Sequence, residues 1–237
     1  MASCTKTASL TIHNVYINLS LFIYLVVTGC SKGIGLCYAH ELAKKGMNLV
    51  LIARKVELLN QIAEDIRTKY GVQVEVIIAD FGHGATIYKD IEEGLANKDI
   101  GILVNNVGVA YDRIKYFHEE SEEKIWNMIN VNIGAMTLMT KMILPKMESK
   151  KKGAIINVAS VAAFAPQPLV TMYSATKAYV DFFSRGVSYE CSDKGITVQC
   201  VCPGKVSLHG VKSSWGNCMA FPINQGSQFK KICDTLV

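Results

Sequence analysis

Short, continuously apolar runs alternate along this chain with longer segments of helical periodicity. The apolar runs are rich in Val and Ile and lack polar alternation, which is typical of strands that are covered on both faces. They comprise residues 24–27, 48–53, 74–79, 100–105, 154–160 and 197–202, and the helical segments comprise residues 34–45, 56–70, 85–95, 121–147 and 173–193. Because parallel strands joined by helices need crossover connections, this alternation predicts an α/β fold with a doubly wound parallel sheet.

The length of 237 residues and the hydrophobic content of 50% favour a single domain with a large core. We expect residues 24–204 to form it, after an apolar lead-in at 1–23 and before a divergent tail at 205–237. Residues 15–27 are apolar for only thirteen positions, whereas a membrane-spanning helix needs about 20. This run therefore favours an extended lead-in to the first strand, with membrane contact as the alternative.

The charge and cysteine patterns argue against nucleic-acid and metal binding. The formal net charge is a modest +5, and the basic run Lys150–Lys152 lies in a break between patterned segments, where we interpret it as a solvated turn. The eight cysteines include no CxxC pair, and Cys200 and Cys202 alternate along a predicted strand. This spacing predicts no metal site and a reduced, intracellular protein.

A glycine-rich turn, TGCSKGIG at 28–35, follows the first predicted strand and opens into a helix. Gly29 permits a tight turn, Gly33 lets backbone amides approach a pyrophosphate, and Gly35 allows the helix to pack closely on the sheet. The helix amino terminus offers free N–H groups and partial positive charge to phosphates. This context predicts a Rossmann-type dinucleotide site. The remaining candidate contacts in the turn are Ser31, Lys32 and Ile34.

The residues after the second predicted strand favour NADP(H) over NAD. A carboxylate there would hydrogen-bond the ribose 2′-hydroxyl and repel a 2′-phosphate. The chain instead has Ala53, Arg54 and Lys55, and Lys32 adds a positive charge nearby. The alternative is that Arg54 only begins a solvated loop.

Tyr173 and Lys177 stand four positions apart in the otherwise apolar or small segment TMYSATKAYVDFF. At helical spacing both side chains lie on one face and meet within reach of one ligand. A nearby ammonium favours the phenolate, so it lowers the pKa of Tyr173 and makes this residue a usable proton donor and acceptor. The alternative is a core aromatic residue beside a solvated lysine.

Four motifs in this order resemble the short-chain dehydrogenase/reductases from about residue 24 to residue 204. They are TGxxxGxG at 28–35, NNVG at 105–108, Ser160, and YxxxK at 173–177. The phrases DIGILVNNVG, GAIINVAS and YSATKAYVDFFS resemble the branch of 17-beta-hydroxysteroid dehydrogenases, very-long-chain 3-oxoacyl-CoA reductases and hydroxysteroid-dehydrogenase-like proteins. The resemblance implies NADP(H)-dependent interconversion of a ketone and a secondary alcohol on a hydrophobic substrate, either a steroid or a long-chain 3-oxoacyl-CoA.

The resemblance also implies catalytic roles. Tyr173 would donate a proton to the carbonyl oxygen, and Ser160 would hydrogen-bond that oxygen. Lys177 would lower the pKa of the tyrosine and hold the nicotinamide ribose hydroxyls. Asn132, in the predicted helix 121–147, matches the family asparagine that helps connect the lysine to solvent through water.

Further expectations rest on the same resemblance. Asp80 and Asn105 would line the adenosine pocket, and Pro203 and Gly204 would join the cofactor contacts. The two long helices of family members build a homodimer. The branch resides in the endoplasmic reticulum, whereas the lack of a full membrane-spanning segment leaves the cytoplasm as the alternative.

The resemblance decays after the sequence CPGK at 202–205. The family usually reads PGxVxT here, and its threonine touches the nicotinamide carboxamide. This chain places Leu208 at the threonine position, with Ser207 as a substitute. The 29 residues that follow contain several turn formers and no convincing apolar strand. We therefore expect a missing or altered seventh strand and an altered substrate lid.

Two other functions compete with the oxidoreductase. One is a nucleotide-binding but catalytically weak or inactive protein that acts through interaction, which the altered tail favours and the intact Ser160, Tyr173 and Lys177 oppose. The other is an unrelated binding module with an accidental glycine turn. Binding of NADPH without turnover would indicate the first, and no binding at all would indicate the second.

Overall fold

The computed structural model describes residues 23–204. The predicted tail at 205–237, with its altered seventh strand, lies outside the described residues, as does the predicted lead-in except for its last residue. Among the residues described, no helix combines the length and the apolarity needed to cross a membrane.

Strands and helices alternate along the chain as the apolar pattern predicts. The strands are β1 (Ile23–Thr28), β2 (Asn48–Ala53), β3 (Val74–Ile78), β4 (Asp99–Asn105), β5 (Gly153–Val158) and β6 (Ile196–Val201). The helices are α1 (Gly33–Ala43), α2 (Val56–Tyr70), α3 (Tyr88–Leu95), α4 (Glu122–Ile129), α5 (Ala135–Lys150) and α6 (Thr171–Glu190). Helix α3 starts at Tyr88, later than predicted, because the residues up to Ile87 belong to the 3₁₀ segment Phe81–Ile87.

The six strands of residues 23–204 run parallel in the spatial order β3-β2-β1-β4-β5-β6. The chain builds outward from β1 to β3 at one edge, returns to β4 beside β1, and builds outward again to β6. The winding direction therefore reverses between β1 and β4, where a crevice opens at the carboxyl ends of the strands. This order confirms the predicted Rossmann-type, doubly wound sheet.

The inner strands β1, β2, β4 and β5 bury both of their faces, which explains the absence of polar alternation in their sequences. In β1, Leu25 and Val27 pack in the core that includes α1 and α2, whereas Val26 packs in the core that includes α3 and α5. All three side chains are fully buried. Burying a side chain of this size contributes roughly 1.5–3 kcal/mol, so the two apolar layers fix the sheet between the helices.

The predicted helix at 121–147 is interrupted in the structure. Its first part, α4, begins where the Ser121 hydroxyl caps the backbone N–H of Lys124 at 3.4 Å. A π-helical turn at Asn130–Gly134 separates α4 from α5. Turns of this type inside α-helices often occur at functional sites, and this one contains Asn132.

A buried chain of polar side chains joins the sheet to α5 and α6. At the end of β4, Asn105 Nδ2 donates to Asn157 Oδ1 at 2.8 Å and to Thr140 Oγ1 at 3.1 Å. On the other side, Asn157 Nδ2 donates to Ser184 Oγ of α6 at 2.9 Å. All four residues are buried. Buried polar groups are costly unless they are paired, so this chain sets how the two helices dock on β4 and β5.

Replacing Asn157 with Ala should destabilise the protein by about 2 kcal/mol, because it leaves the buried Asn105 amide without one of its acceptors. Urea denaturation followed by circular dichroism measures this change. The matched control is Asn60→Ala on the exposed face of α2, which should change stability by less than about 0.5 kcal/mol. Equal stability of the two variants would contradict the structural role of the buried chain.

Candidate active site

The glycine turn between β1 and α1 has the close approaches that only glycine permits. Gly29 and Gly33 adopt positive φ angles of 64° and 65°. A Cβ atom on Gly29 would lie 2.7 Å from the Val107 Cα atom, and one on Gly35 would lie 2.7 Å from the Gly29 carbonyl oxygen. The sequence indicated that Gly35 lets the helix pack closely on the sheet. In the structure, Gly35 also lies close to the turn itself and to Asn106 in the loop after β4.

The second asparagine of NNVG fastens this turn to β4. Asn106 Nδ2 donates to the carbonyl oxygens of Thr28 and Gly29, both at 3.0 Å. The Thr28 hydroxyl in turn accepts from the backbone N–H groups of Asn106 and Val107 at 3.0 and 3.1 Å. Sequence reasoning missed Asn106, although the adjacency of β1 and β4 in a doubly wound sheet could have indicated it. These bonds fix the turn at the point where the winding reverses.

The amino terminus of α1 is open to an anion. The helix starts at Gly33, and its N-cap residue Lys32 makes no side-chain capping bond. The first N–H groups of a helix have no partner within the helix and carry its positive dipole end. The turn residues Ser31 and Ile34 lie on either side of this terminus. The arrangement fits the phosphates of a dinucleotide.

Arg54 and Asp80 meet at the carboxyl ends of β2 and β3. Arg54 Nη1 lies 3.4 Å from Asp80 Oδ2, and Asp80 Oδ1 accepts from the backbone N–H of Gly82 at 3.0 Å. The Arg54 side chain is 62% exposed, and exposed ion pairs of this kind contribute little to stability. The guanidinium is thus available to an anionic ligand at this end of the crevice.

The side chain of Asn105 points into the protein, and the predicted place of this residue in the adenosine pocket stays a prediction. It is buried and donates to Asn157 and Thr140 inside the protein. Side chains alternate between the two faces along a strand, so Asn105 shares the face of Leu103, which packs in the core that includes α5, and Thr140 of α5 accepts from its amide. The role of Asn105 is therefore to hold the sheet and helices together.

Lys177 is buried in the interface between α6 and β5. Its side chain reaches the end of β5, where Nζ donates to the Val158 carbonyl oxygen at 2.9 Å. The residue is only 5% exposed. Burial penalises the charged form and lowers the pKa of Lys177 to about 8. The amine is therefore poised to change its protonation near neutral pH.

Tyr173 lies one helical turn before Lys177, with the lysine Nζ atom 5.9 Å from the centre of its ring. Burial raises the pKa of Tyr173, and a hydrogen bond with Ser160 acts against this rise. The sequence predicted the opposite direction, from the nearby ammonium. The difference arises because the ammonium is directed to the Val158 carbonyl, so desolvation of the phenol dominates.

Ser160 lies two residues after the end of β5, near Tyr173. Its hydroxyl accepts from the backbone N–H of Ala162 at 3.2 Å, which caps a short 3₁₀ turn, and it acts to lower the pKa of Tyr173. The next residue, Val161, donates its backbone N–H to the Pro203 carbonyl oxygen at 3.1 Å. The Pro203–Gly204 segment after β6 is thereby held against the serine turn, and its predicted cofactor contacts stay a prediction.

Asn132 connects the π-helical turn to the loop after β4 and to α6. Its Oδ1 accepts from the Val109 N–H at 2.8 Å, and its Nδ2 donates to the Val109 carbonyl and to Thr176 Oγ1 at 2.9 and 3.0 Å. A Cβ atom placed on Gly108 would lie 3.5 Å from both Asn132 Oδ1 and Lys177 Nζ. Asn132 and Lys177 therefore flank one small space. The predicted water-mediated relay through Asn132 remains a prediction.

The structure brings most of the predicted site residues to one edge of the sheet. Ser160, Tyr173, Lys177 and Asn132 surround the end of β5, and the glycine turn lies across the winding reversal. Ser207 and Leu208, where the sequence departs from the family pattern, lie outside the described residues.

Together, the fold and the site define a Rossmann-type α/β protein in which a serine, a tyrosine and a buried lysine meet beside a glycine-rich turn. The model of the short chain dehydrogenase family matches residues 24–216. The chain therefore belongs to the short-chain dehydrogenase family.

Relatives of this chain have different described activities. It is 48% identical over 193 residues to a very-long-chain 3-oxoacyl-CoA reductase of Anas platyrhynchos, a match that covers 81% of this chain and 62% of the relative. It is also 48% identical over 180 residues to the inactive hydroxysteroid dehydrogenase-like protein 1 of Homo sapiens, covering 76% of this chain and 54% of the relative. The chain thus spans less than two thirds of the length of these relatives.

A solved structure shows the same architecture. The short-chain dehydrogenase from Sphingobium yanoikuyae, in complex with NADPH, is 37% identical and superposes with a TM-score of 0.73. The match covers 78% of this chain and 71% of that protein.

The burial of Lys177 predicts a pH-dependent stability. Because the folded-state pKa of about 8 lies below the ordinary value of 10.5, the unfolded chain binds more protons between these values, and stability rises with pH across this window. Relative to Lys177→Met, the wild type should gain roughly 2–3 kcal/mol between about pH 7 and about pH 10. Urea denaturation of both proteins at each pH measures the gain, and a constant difference would show that Lys177 is not desolvated.

Proposed function

We propose that this protein is an NADP(H)-dependent oxidoreductase that interconverts a ketone and a secondary alcohol on a hydrophobic substrate. The observation that carries the proposal is the meeting of Ser160, Tyr173 and Lys177 at the end of β5, beside the crevice that the glycine turn borders. A steroid or a long-chain 3-oxoacyl-CoA is the proposed substrate class, which the name of the reductase relative supports.

The proposed cofactor contacts fall at two places along the crevice. The open amino terminus of α1, with Lys32 as its N-cap, would bind the pyrophosphate. The exposed Arg54 would bind the 2′-phosphate, with Asp80 holding its guanidinium at the adenosine end. The NADPH in the related solved structure supports this choice of cofactor.

Tyr173, Ser160 and Lys177 would each have a separate role in the proposed proton transfer. Bound NADPH would supply the hydride. The Tyr173 hydroxyl would donate the proton to the substrate oxygen, and the Ser160 hydroxyl would hydrogen-bond the same oxygen as negative charge develops there. Lys177, fixed by the Val158 carbonyl, would provide positive charge close to the tyrosine ring. The exclusion of water by the surrounding buried residues strengthens each of these interactions.

An exposed apolar surface beside the site supports a hydrophobic substrate. Ile114, Phe164 and Leu169 are 50%, 60% and 36% exposed. Phe164 follows the Ser160 turn, and the Leu169 carbonyl accepts from the Lys115 N–H at 3.3 Å, which places the two loops side by side. Large exposed apolar side chains that cluster in this way often mark binding surfaces.

The second candidate is a nucleotide-binding protein with little or no catalytic activity. The human relative that is named inactive favours it. The presence of Ser160, Tyr173 and Lys177 in one cluster opposes it. Quenching of intrinsic fluorescence by NADPH, followed by NADPH oxidation assays against ketosteroids and 3-oxoacyl thioesters, separates the two. Binding without turnover of any substrate would favour the second candidate.

For assembly we propose a homodimer formed through α5 and α6. A groove between these helices is lined by Leu144, Phe183 and Val187 together with polar side chains. On α6, Phe182 and Tyr189 are 74% and 81% exposed, and so much exposed aromatic surface favours a partner. The endoplasmic-reticulum location, with the cytoplasm as its alternative, stays a prediction of the family resemblance.

Replacing Tyr173 with Phe should reduce turnover at least about 1000-fold, because it removes the proton donor, while the NADPH dissociation constant changes less than about twofold. NADPH oxidation and fluorescence titration measure the two quantities. Tyr70→Phe, at the carboxyl end of α2, is the matched control and should retain full activity. Undiminished turnover in Tyr173→Phe would defeat the proton-donor assignment.

Replacing Arg54 with Asp should lower the ratio of NADPH affinity to NADH affinity at least about tenfold, because a carboxylate at the end of β2 repels a 2′-phosphate. Lys69→Asp makes the same change of charge at the opposite end of α2 and should leave the ratio unchanged. Fluorescence titrations with both cofactors give the ratio. The same ratio in Arg54→Asp and in the wild type would contradict the proposed 2′-phosphate contact.

A further inference from the structure

Two thiols and a carboxylate converge behind the active site, where β6 packs against α6. Cys200 lies in β6 and Cys202 directly follows it, with their Sγ atoms 3.9 Å apart. Asp181 of α6 brings a carboxylate oxygen to the same place, and the three ligand atoms lie within 4.8 Å of one another. Nothing in the proposed oxidoreductase chemistry uses these side chains.

We propose that Asp181, Cys200 and Cys202 form a binding site for a thiophilic divalent cation of the zinc class. The sulfur separation carries this proposal. Two thiolates that bind one tetrahedral zinc ion at about 2.3 Å lie about 3.8 Å apart, and the observed distance of 3.9 Å matches this value without any movement of the strand. The carboxylate oxygen, which lies within 4.8 Å of both sulfur atoms, would provide the third ligand.

The surroundings of the three side chains suit a partly enclosed site. Cys202 is buried, and Cys200 and Asp181 are half-buried. Asp181 Oδ2 pairs with Arg185 at 2.9 Å, and the Arg185 side chain is 58% exposed. An exposed pair of this kind is weak, so it would compete little with a cation for the carboxylate. Three protein ligands leave one position of a tetrahedral ion for water or another small ligand.

The backbone geometry favours a shared cation over a disulfide bond between the two cysteines. Residues i and i+2 of a strand point to the same face, and a rise of about 3.3 Å per residue separates their backbones by about 6.6 Å. A disulfide needs Cβ atoms only about 3.5–4.5 Å apart, so it would require the end of β6 to bend. A cation between two side chains that converge only at their sulfur atoms requires no such bend.

A cation at this site would reinforce the wall of the active site. Cys202 immediately precedes Pro203, whose carbonyl accepts from Val161 next to Ser160. The Ala159 N–H also donates to the Val201 carbonyl at 2.7 Å. Linking the end of β6 to α6 through Asp181 would therefore restrain the segments on both sides of the serine turn. The cation site does not depend on the proposed oxidoreductase function.

The test is a cobalt titration of the full chain in a phosphine reductant, which keeps thiols reduced without adding a competing thiol. We expect one equivalent of Co²⁺ to produce a sulfur-to-cobalt charge-transfer band, Zn²⁺ to abolish the band by displacement, and saturating Zn²⁺ to raise the midpoint of thermal unfolding by about 5 °C. Cys200→Ser and Cys202→Ser should each lose the one-equivalent binding. Asp181→Asn should keep the band and bind at least about tenfold more weakly.

The exposed Cys37 on α1 provides the matched control. Cys37→Ser should bind Co²⁺ as the wild type does, because it lies outside the cluster. Cys200→Ala is a second variant at the first thiol, and circular dichroism confirms that each variant is folded before titration. Undiminished one-equivalent binding in a folded Cys200 or Cys202 variant, or no charge-transfer band in the reduced wild type, would overturn the proposal.

Discussion

The desolvated amine of Lys177 is the interaction on which the rest of the site depends. Burying a lysine is costly, and the cost is reduced here by one short hydrogen bond to the Val158 carbonyl at the end of β5. That bond requires α6 to lie directly against the strand. The same docking places Tyr173 one turn earlier opposite Ser160 and directs Thr176 to Asn132. The hydrogen bond from Lys177 to the Val158 carbonyl thus determines how Ser160, Tyr173 and Lys177 are placed relative to one another.

This arrangement also explains why the phenol is not activated in the free chain. The Lys177 amine donates to a backbone carbonyl, whereas Tyr173 is largely buried beside the neutral Ser160, so desolvation raises the pKa of Tyr173. The helical spacing of Tyr173 and Lys177 is therefore necessary for the proposed chemistry, but it does not by itself lower the pKa of the tyrosine. In the proposed chemistry, a ligand that occupies the crevice would change the surroundings of the Tyr173 hydroxyl and so its pKa.

The sheet could be predicted from the sequence because burial on both faces leaves a direct trace in composition. Runs such as 48–53 consist almost entirely of residues that such strands require, and the structure gives β2 the same bounds. The predicted helix at 121–147 was less accurate, because the π-helical turn depends on bonds from Asn132 to Val109, which is distant in sequence. Long-range contacts of this kind leave no local periodicity.

In the site, too, contiguous motifs could be predicted from the sequence, whereas contacts between distant elements could not. The glycine turn and the Tyr173–Lys177 pair are contiguous motifs, so their residue types indicated their positions. The hydrogen-bond partners of Asn105, Thr140 and Asn157, lie on other elements, and the approach of Asp181 to Cys200 depends on how α6 crosses β6. Spacing along the chain indicated no metal ligands among the cysteines, because the third candidate ligand lies on a different element.

The central claim is that burial, rather than the nearby ammonium, sets the ionisation of Tyr173 in the free protein. An absorbance titration of tyrosinate, taken as the difference between the wild type and Tyr173→Phe without cofactor, measures it directly. We expect Tyr173 to ionise above the ordinary pKa of 10.0. Ionisation below that value in the free protein would show that Lys177 already activates the phenol and would contradict the claim.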